Sequence, residues 1–232
     1  MYDYILFDLD GTLTDPKAGI TGCVQYALHK VGVEEPDNDK LEPFIGPPLA
    51  DSFREFYGFD EKKTRQAVTY YRERFATVGL FENEIYPGIG QMLANLQEAG
   101  CHLAVASSKP AVFVEKILEH FGILSYFEVV VGSELDGTRV KKEEVVEEAL
   151  RQLLHREDKT QWHTAERTDV AMVGDRKFDV EGAKAYGIVS IGVSYGYASE
   201  GELVKAGADT IVETVEELHE ILLRGKAGMQ VI

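Results

Sequence analysis

Six short apolar runs, with helical patterns between them, constrain the fold of this chain more than any other feature. The runs are Tyr4–Phe7, His102–Ala106, Val129–Val131, Asp169–Val173, Val189–Val193 and Thr210–Val212. Runs this short and continuous fit strands covered on both faces, as in a parallel sheet. Leu93, Leu96 and Gln97 precede the second run. Val114, Ile117, Leu118 and Phe121 follow it at helical spacing, and Val145, Val146, Ala149, Leu150 and Leu153 precede the fourth. Ser199 with Glu202, and Thr214 with Glu217, have capping-box spacing and predict helix starts after the fifth and sixth runs. Strand and helix alternating in this way predict an α/β fold, a Rossmann-like parallel sheet joined by helical crossovers.

One interval breaks the alternation. Between Thr14 and Tyr86 no strand pattern is evident, and helical patterns occupy Ala18–Val31, Leu49–Tyr57 and Lys62–Val78. About 70 residues of helix is far more than an ordinary crossover needs. The expectation is a core formed by residues 1–14 and 87–232, carrying an inserted α-helical cap over residues 15–86.

The charge balance narrows the partners. There are 24 Lys and Arg against 40 Asp and Glu, a net charge of −16. Such a chain is repelled by nucleic-acid phosphates and anionic membranes, so neither is expected as a partner. No apolar run approaches the roughly 18 residues of a membrane span. The N-terminus lacks the basic segment of a secretory leader. Two cysteines, Cys23 and Cys101, cannot build a disulfide framework and suit a reducing compartment. The expectation is a cytoplasmic protein, monomeric or homodimeric.

The chemistry gathers at strand ends. The first run leads into Asp8-Leu9-Asp10-Gly11-Thr12, the second into Ser107-Ser108-Lys109, and the fourth into Gly174-Asp175, with Asp179 one helical turn on. Open α/β sheets bind ligands just beyond the carboxyl ends of their strands. Two carboxylates about 4 Å apart repel by about 4 kcal/mol at an effective dielectric near 20, so an acidic nest of this kind calls for a cation. Hard oxygen ligands suit Mg²⁺, which binds through few carboxylates plus a substrate phosphate. A cation with a lysine beside it then admits a phosphoryl group that bare carboxylates would repel.

These segments resemble the signatures of the haloacid dehalogenase superfamily. Asp8-Leu9-Asp10-Gly11-Thr12 is similar to its first motif, Ser107 to its second, and Gly174-Asp175 with Asp179 to its fourth. The third motif is a lysine, for which Lys142 is preferred over Lys141 because Asp136-Gly137-Thr138-Arg139-Val140-Lys141-Lys142 resembles a form seen in some members. The helical interval resembles the cap of the phosphoglycolate-phosphatase-like branch. The resemblance implies that Asp8 is the nucleophile and Asp10 the general acid, then base. It implies that Asp8, the Asp10 carbonyl and Asp175 hold Mg²⁺, with Asp179 a water-mediated ligand or an orienting group behind it. Ser107 and Lys142 would hold the phosphate oxygens. The implied activity is Mg²⁺-dependent hydrolysis of a small phosphorylated metabolite: phosphoglycolate, a nucleoside 5′-monophosphate or a sugar phosphate. A sugar-phosphate mutase using the same aspartyl phosphate is the alternative, followed by a non-catalytic phosphate-binding module. True dehalogenases lack the second aspartate, so Asp10 favours phosphoryl chemistry.

Specificity is expected from the cap. Gly46-Pro47-Pro48-Leu49 reads as a rigid turn facing the catalytic edge, and Arg54 beyond it is a candidate for a second anionic group. A rival constellation is Gly192-Val193-Ser194-Tyr195-Gly196, which matches the nucleophile elbow of α/β hydrolases, with Asp209 and His219 following in the required order. It is disfavoured because the next helix begins only near Ser199 and His219 lies inside a helix. A Schiff-base lysine in the cap, such as Lys17, is disfavoured because nothing nearby desolvates it.

Overall fold

The structure, a computed structural model, describes residues 2–154 and 167–224. The tail from Gly225 onward, uninformative as sequence, lies outside the described residues. Six strands form one parallel sheet: β1 (Tyr4–Phe7), β4 (His102–Pro110), β5 (Val129–Ser133), β6 (Arg167–Gly174), β7 (Ile188–Val193) and β8 (Thr210–Val212). Their order is β5-β4-β1-β6-β7-β8, which puts β1 in the interior of the sheet between β4 and β6. Tyr4 to Phe7 pairs with His102 to Val105 on one side and with Val170 to Val173 on the other. The carboxyl ends of the three central strands are therefore level.

Alternation along β1 explains the layers. Ile5 and Phe7 pack into an apolar cluster with Leu93, Leu96, Val114, Ile117, Leu218 and Leu222. These come from α4 (Ile89–Glu98), α5 (Ala111–His120) and α9 (Val215–Arg224). Leu6 points the other way, toward Val145, Val146, Ala149, Leu150 and Ala183 of α6 (Lys142–Leu153) and α7 (Lys177–Ala185). Both faces being covered is why β1 reads as an unbroken apolar run.

The interval between β1 and α4 holds α1 (Lys17–Lys30), a 3₁₀ turn over Asn38–Phe44, α2 (Leu49–Tyr57) and α3 (Glu61–Arg74), which runs on into a π turn over Phe75–Gly79. The expectation of no strand there needs one correction. Two two-residue strands, β2 (Thr14–Asp15) and β3 (Glu84–Ile85), pair antiparallel at the base of the helices, Thr14 opposite Ile85 and Asp15 opposite Glu84. Two residues are too few to show a strand period. The second correction concerns the short helix α8 (Glu202–Ala206). It starts at Glu202 behind Gly201, and Ser199 instead donates its amide and hydroxyl to the Glu202 carboxylate. The start at Thr214 stands, since its hydroxyl accepts the Glu217 amide at 3.1 Å.

Candidate active site

The loops leaving β1 and β6, two neighbouring strands, run to opposite sides of the sheet, and the crevice between them lies where open α/β sheets bind ligands. Asp8 follows β1 directly, its amide donating to the Val173 carbonyl at 2.9 Å. Asp175 follows β6, and Asp179 lies in the first turn of α7. One oxygen from each of Asp8, Asp175 and Asp179 falls within 4.8 Å of the others, and all three residues are buried. They come from positions 167 and 171 residues apart, so only the parallel register of β1 with β6 brings them together.

The loops are shaped to hold these carboxylates. Gly11 sits at φ +78°, and a Cβ there would lie 2.1 Å from Asp175 Oδ2; at Gly196 a Cβ would meet Asp175 Cβ at 2.4 Å. The Tyr197 amide donates to Asp175 Oδ2 at 2.7 Å, and the Arg176 amide donates to Asp179 Oδ2 at 3.0 Å. Asp175 Oδ1 is left buried with no donor.

Lys142 lies against the cluster. Its ammonium is 2.9 Å from Asp8 Oδ1 and 2.8 Å from Asp179 Oδ1, and it donates to the Ala106 carbonyl at 3.0 Å. Lys141, the rival candidate, instead stands at the N-cap of α6. Burial pushes the Asp175 carboxyl well above the usual range, with repulsion from Asp179 and Asp8 adding to it. Burial also lifts Asp179 to about 6, against the pull of Lys142. Lys142 goes up as well: burial alone would lower it, but Asp179 and Asp8 more than offset that. Three crowded carboxylates, one orphaned oxygen and hard ligands only are what a small divalent cation such as Mg²⁺ would satisfy.

The other expected residues divide. Ser107 is buried on the extension of β4, where pairing with β5 loses register between Ala106 and Pro110. Asp10 reaches the same edge, but its carboxylate stands apart from the three-carboxylate cluster. Both of its oxygens are held by Lys109 Nζ, at 2.6 and 2.5 Å. Burial, with repulsion from Asp8, raises the Asp10 carboxyl although Lys109 opposes the rise. Lys109 was missed as a site residue, although its place two residues beyond Ser107 at a strand end was a usable signal. Its ammonium also lies 4.9 Å from the centroid of the Phe75 ring, on the helical insertion. Arg54 lines a cavity of about 310 Å³ that reaches Asp10 and Lys109, but it is half-exposed and paired with Asp51. Gly46, Pro47 and Pro48 line that cavity as well, as the turn was expected to do.

The rival constellations fall apart. The Ser194 hydroxyl donates to the Val212 carbonyl, Asp209 accepts from Ser190, and His219 lies beside Asn95. Gly196 of that motif instead makes room for Asp175. Lys17 is paired with Glu42 and Asp39, which raise its pKa, the reverse of what a Schiff-base lysine needs.

Comparison with known proteins fits this geometry. The haloacid dehalogenase-like hydrolase family matches residues 5–193. A 5′-nucleotidase from Pseudomonas aeruginosa is 49% identical over 87% of this chain and 87% of its own. The tyrosine-protein kinase PtkA of Mycobacterium tuberculosis is 37% identical over 94% of this chain and 72% of its own. A phosphoglycolate phosphatase from Vibrio parahaemolyticus is 30% identical over 94% and 95%. Among solved structures, a predicted phosphatase from Clostridium acetobutylicum superposes with a TM-score of 0.88, at 46% identity, over 97% of this chain and 99% of that one.

Proposed function

The chain belongs to the haloacid dehalogenase-like hydrolases, and from that premise we propose that it is a Mg²⁺-dependent phosphatase of small phosphomonoesters working through an aspartyl phosphate. The observation that carries the proposal is the buried cluster of Asp8, Asp175 and Asp179 with Lys142 against it. Residues 15–86 act in this reading as the cap over a core of residues 1–14 and 87–232.

Asp8 is the nucleophile. Its carboxylate forms a bond to phosphorus while the ester oxygen–phosphorus bond breaks. Asp10 delivers a proton to the departing oxygen. It then takes a proton from the water that attacks phosphorus and frees Asp8. Burial, which lifts the Asp10 carboxyl, suits the first of these tasks, and Lys109 on both oxygens suits the second. Ser107 and Lys142 hold the transferring group. Asp8, the Asp10 carbonyl and Asp175, together with Asp179, would hold Mg²⁺, which neutralises charge on the phosphoryl oxygens when bound. The closeness of one oxygen from each of Asp8, Asp175 and Asp179 supports reading Asp179 as a ligand, in place of the water-mediated or orienting role expected for it.

A nucleoside 5′-monophosphate is the substrate class this reading favours. The cavity beside Asp10, about 310 Å³, falls at the lower end of pockets that enclose drug-sized ligands, roughly 300–1,000 Å³. Its walls include Ile20, Phe44, Val68, Tyr71, Phe75 and Phe113. A two-carbon acid leaves most of that space empty. The name of the Pseudomonas relative points the same way. Two buried, free cysteines support the expected reducing, cytoplasmic setting.

The test is turnover of an aryl phosphate with Mg²⁺, with EDTA, and by Asp8→Asn. Activity is expected only in the first case, and full turnover by Asp8→Asn refutes the mechanism. A panel of phosphomonoesters then ranks kcat/KM, with nucleoside monophosphates expected above phosphoglycolate and sugar phosphates.

A further inference from the structure

Arg176 follows Asp175 directly and is not accounted for by the chemistry above. Its side chain is largely buried. The guanidinium donates through Nε to Glu202 Oε1 at 2.9 Å and through Nη1 to the carbonyl of Ile45, 131 residues away. Its own backbone amide holds Asp179 Oδ2. Glu202 is fixed in turn, accepting the Lys177 amide at 2.9 Å and the Ser199 amide at 3.1 Å. These donors hold the Glu202 carboxyl down at about 2 although burial pushes it up. One arginine thus bridges three places: the loop bearing Asp175 and Asp179, the start of α8, and the turn of the helical insertion at residues 45–48.

That turn has a particular position. Gly46, Pro47 and Pro48 line the 310 Å³ cavity that reaches Asp10 and also a second one of about 630 Å³ that reaches Lys142. The turn borders both, as do Asp51, Ser108 and Val140. Two prolines make it stiff, so it moves as a piece and depends on what holds its ends. At its front, Gly46 sits at φ +103°, and a Cβ there would come within 3.0 Å of Arg176 Nη1. The guanidinium is packed against the turn as well as bonded to it.

We infer that Arg176 is the core-side anchor of the turn at residues 45–48, a positioning residue that fixes the wall of the leaving-group cavity. The planar fork of arginine suits two acceptors at fixed angles, and the single nitrogen of lysine does not. The effect on substrate rests on the phosphatase reading; the anchoring itself does not.

Two measurements on the full chain test it. The first is amide hydrogen exchange. The Ile45 amide donates to the Glu42 carbonyl at 2.8 Å and is protected while the turn is seated. Arg176→Met is expected to speed its exchange at least tenfold, the loss expected for one hydrogen bond to a charged group, while the amides of β1 keep their wild-type rates. The second is steady-state kinetics. KM for a nucleoside monophosphate is expected to rise about tenfold, with kcat within about threefold. Arg176→Lys should behave like Arg176→Met. Gly46→Ala disturbs the same contact from the other side and supplies the test if Arg176→Met does not fold. Because both substitutions act on one contact, their effects should fall short of multiplying in the double variant.

Unchanged exchange at Ile45 overturns the inference. So does a fall in kcat at constant KM, or full multiplication in the double variant. If the wild-type protein hydrolyses no phosphomonoester, the phosphatase reading fails, while the exchange measurement still decides the anchor.

Discussion

Replacing Lys142 by methionine is the sharpest probe of the site, because it removes the charge and keeps most of the volume. The ammonium lies 2.9 Å from Asp8 Oδ1 and 2.8 Å from Asp179 Oδ1. At an effective dielectric of 20 each attraction is about 6 kcal/mol, and desolvation of the three ions cancels most of the total. Removing the lysine leaves the desolvation cost of the two carboxylates in place. It also leaves three carboxylates whose nearest oxygens lie within 4.8 Å, repelling by about 3.5 kcal/mol or more per ionised pair. The expected loss is about 3–5 kcal/mol for metal-free protein near pH 8, the usual cost of breaking a buried pair. The loss should shrink toward pH 5. The Asp179 carboxyl already titrates at about 6 and Asp175 lies well above its ordinary value. Without Lys142 both move further up. A carboxyl raised in the folded state contributes stability that is complete below its unfolded value and fades as pH climbs through the folded one. The deficit should therefore open between about pH 4 and 8. Urea unfolding in EDTA at pH 5.5 and pH 8 measures it, and Lys142→Met/Asp179→Asn should recover about half. A single variant within 1 kcal/mol of wild type at pH 8, or no recovery in the double, would refute this account.

Four further outcomes follow from the same geometry. Asp175→Asn should raise the stability of metal-free protein by about 1–3 kcal/mol, since it removes a repelling charge and keeps an oxygen for the Tyr197 amide. Saturating Mg²⁺ should raise the wild-type Tm by roughly 5–10 °C at a hundred times Kd and leave Asp175→Asn unmoved; a shift of equal size in both would contradict the metal assignment. Gly196→Ala should cost about 3 kcal/mol or more, because its Cβ meets Asp175 Cβ and the Gly11 carbonyl at 2.4 Å. Gly90→Ala, with open space around it, should cost nothing and gain up to about 1 kcal/mol, as read by thermal melting.

The sequence makes some of this legible and hides the rest for a physical reason. Strands buried on both faces must be apolar without interruption, so β1, β4 and β6 announce themselves, and a polar residue at the end of each is visible by contrast. Asp8, Ser107 and Asp175 were found in that way. Residues whose role depends on a partner far along the chain leave no such contrast. Lys109 meets Asp10 across 99 positions, Arg176 meets Ile45 across 131, and Tyr197 donates its hydroxyl to Asp15 across 182. Each looks like an ordinary surface residue until the sheet is assembled. The segment from Gly192 to Gly196 shows the opposite failure. Its spacing copies a hydrolase elbow, yet Gly196 is there because Asp175 leaves no room for a side chain.

The carboxylate cluster also explains why the best-predicted part of the chain is its least favourable in isolation. The sheet and its flanking helices are accounted for by apolar faces that meet. Asp8, Asp175 and Asp179 break the rule that buried charges be paired, with one lysine among three acids and one oxygen lacking any donor. Packing alone gains nothing from such an arrangement, because replacing the acids by amides of the same shape removes the repulsion. An arrangement that costs stability and is still held in place by Gly11, Gly196 and two backbone amides is one held for its chemistry. It follows that stability and activity must move in opposite directions when the acid of the cluster that Lys142 does not hold is neutralised. Asp175→Asn should melt higher than wild type in EDTA and lose phosphatase turnover, whereas Asp179→Asn also breaks the ion pair with Lys142 and gains nothing in stability. An Asp175→Asn protein that loses stability as well as activity would mean that this carboxylate is a structural part of the cluster and no more.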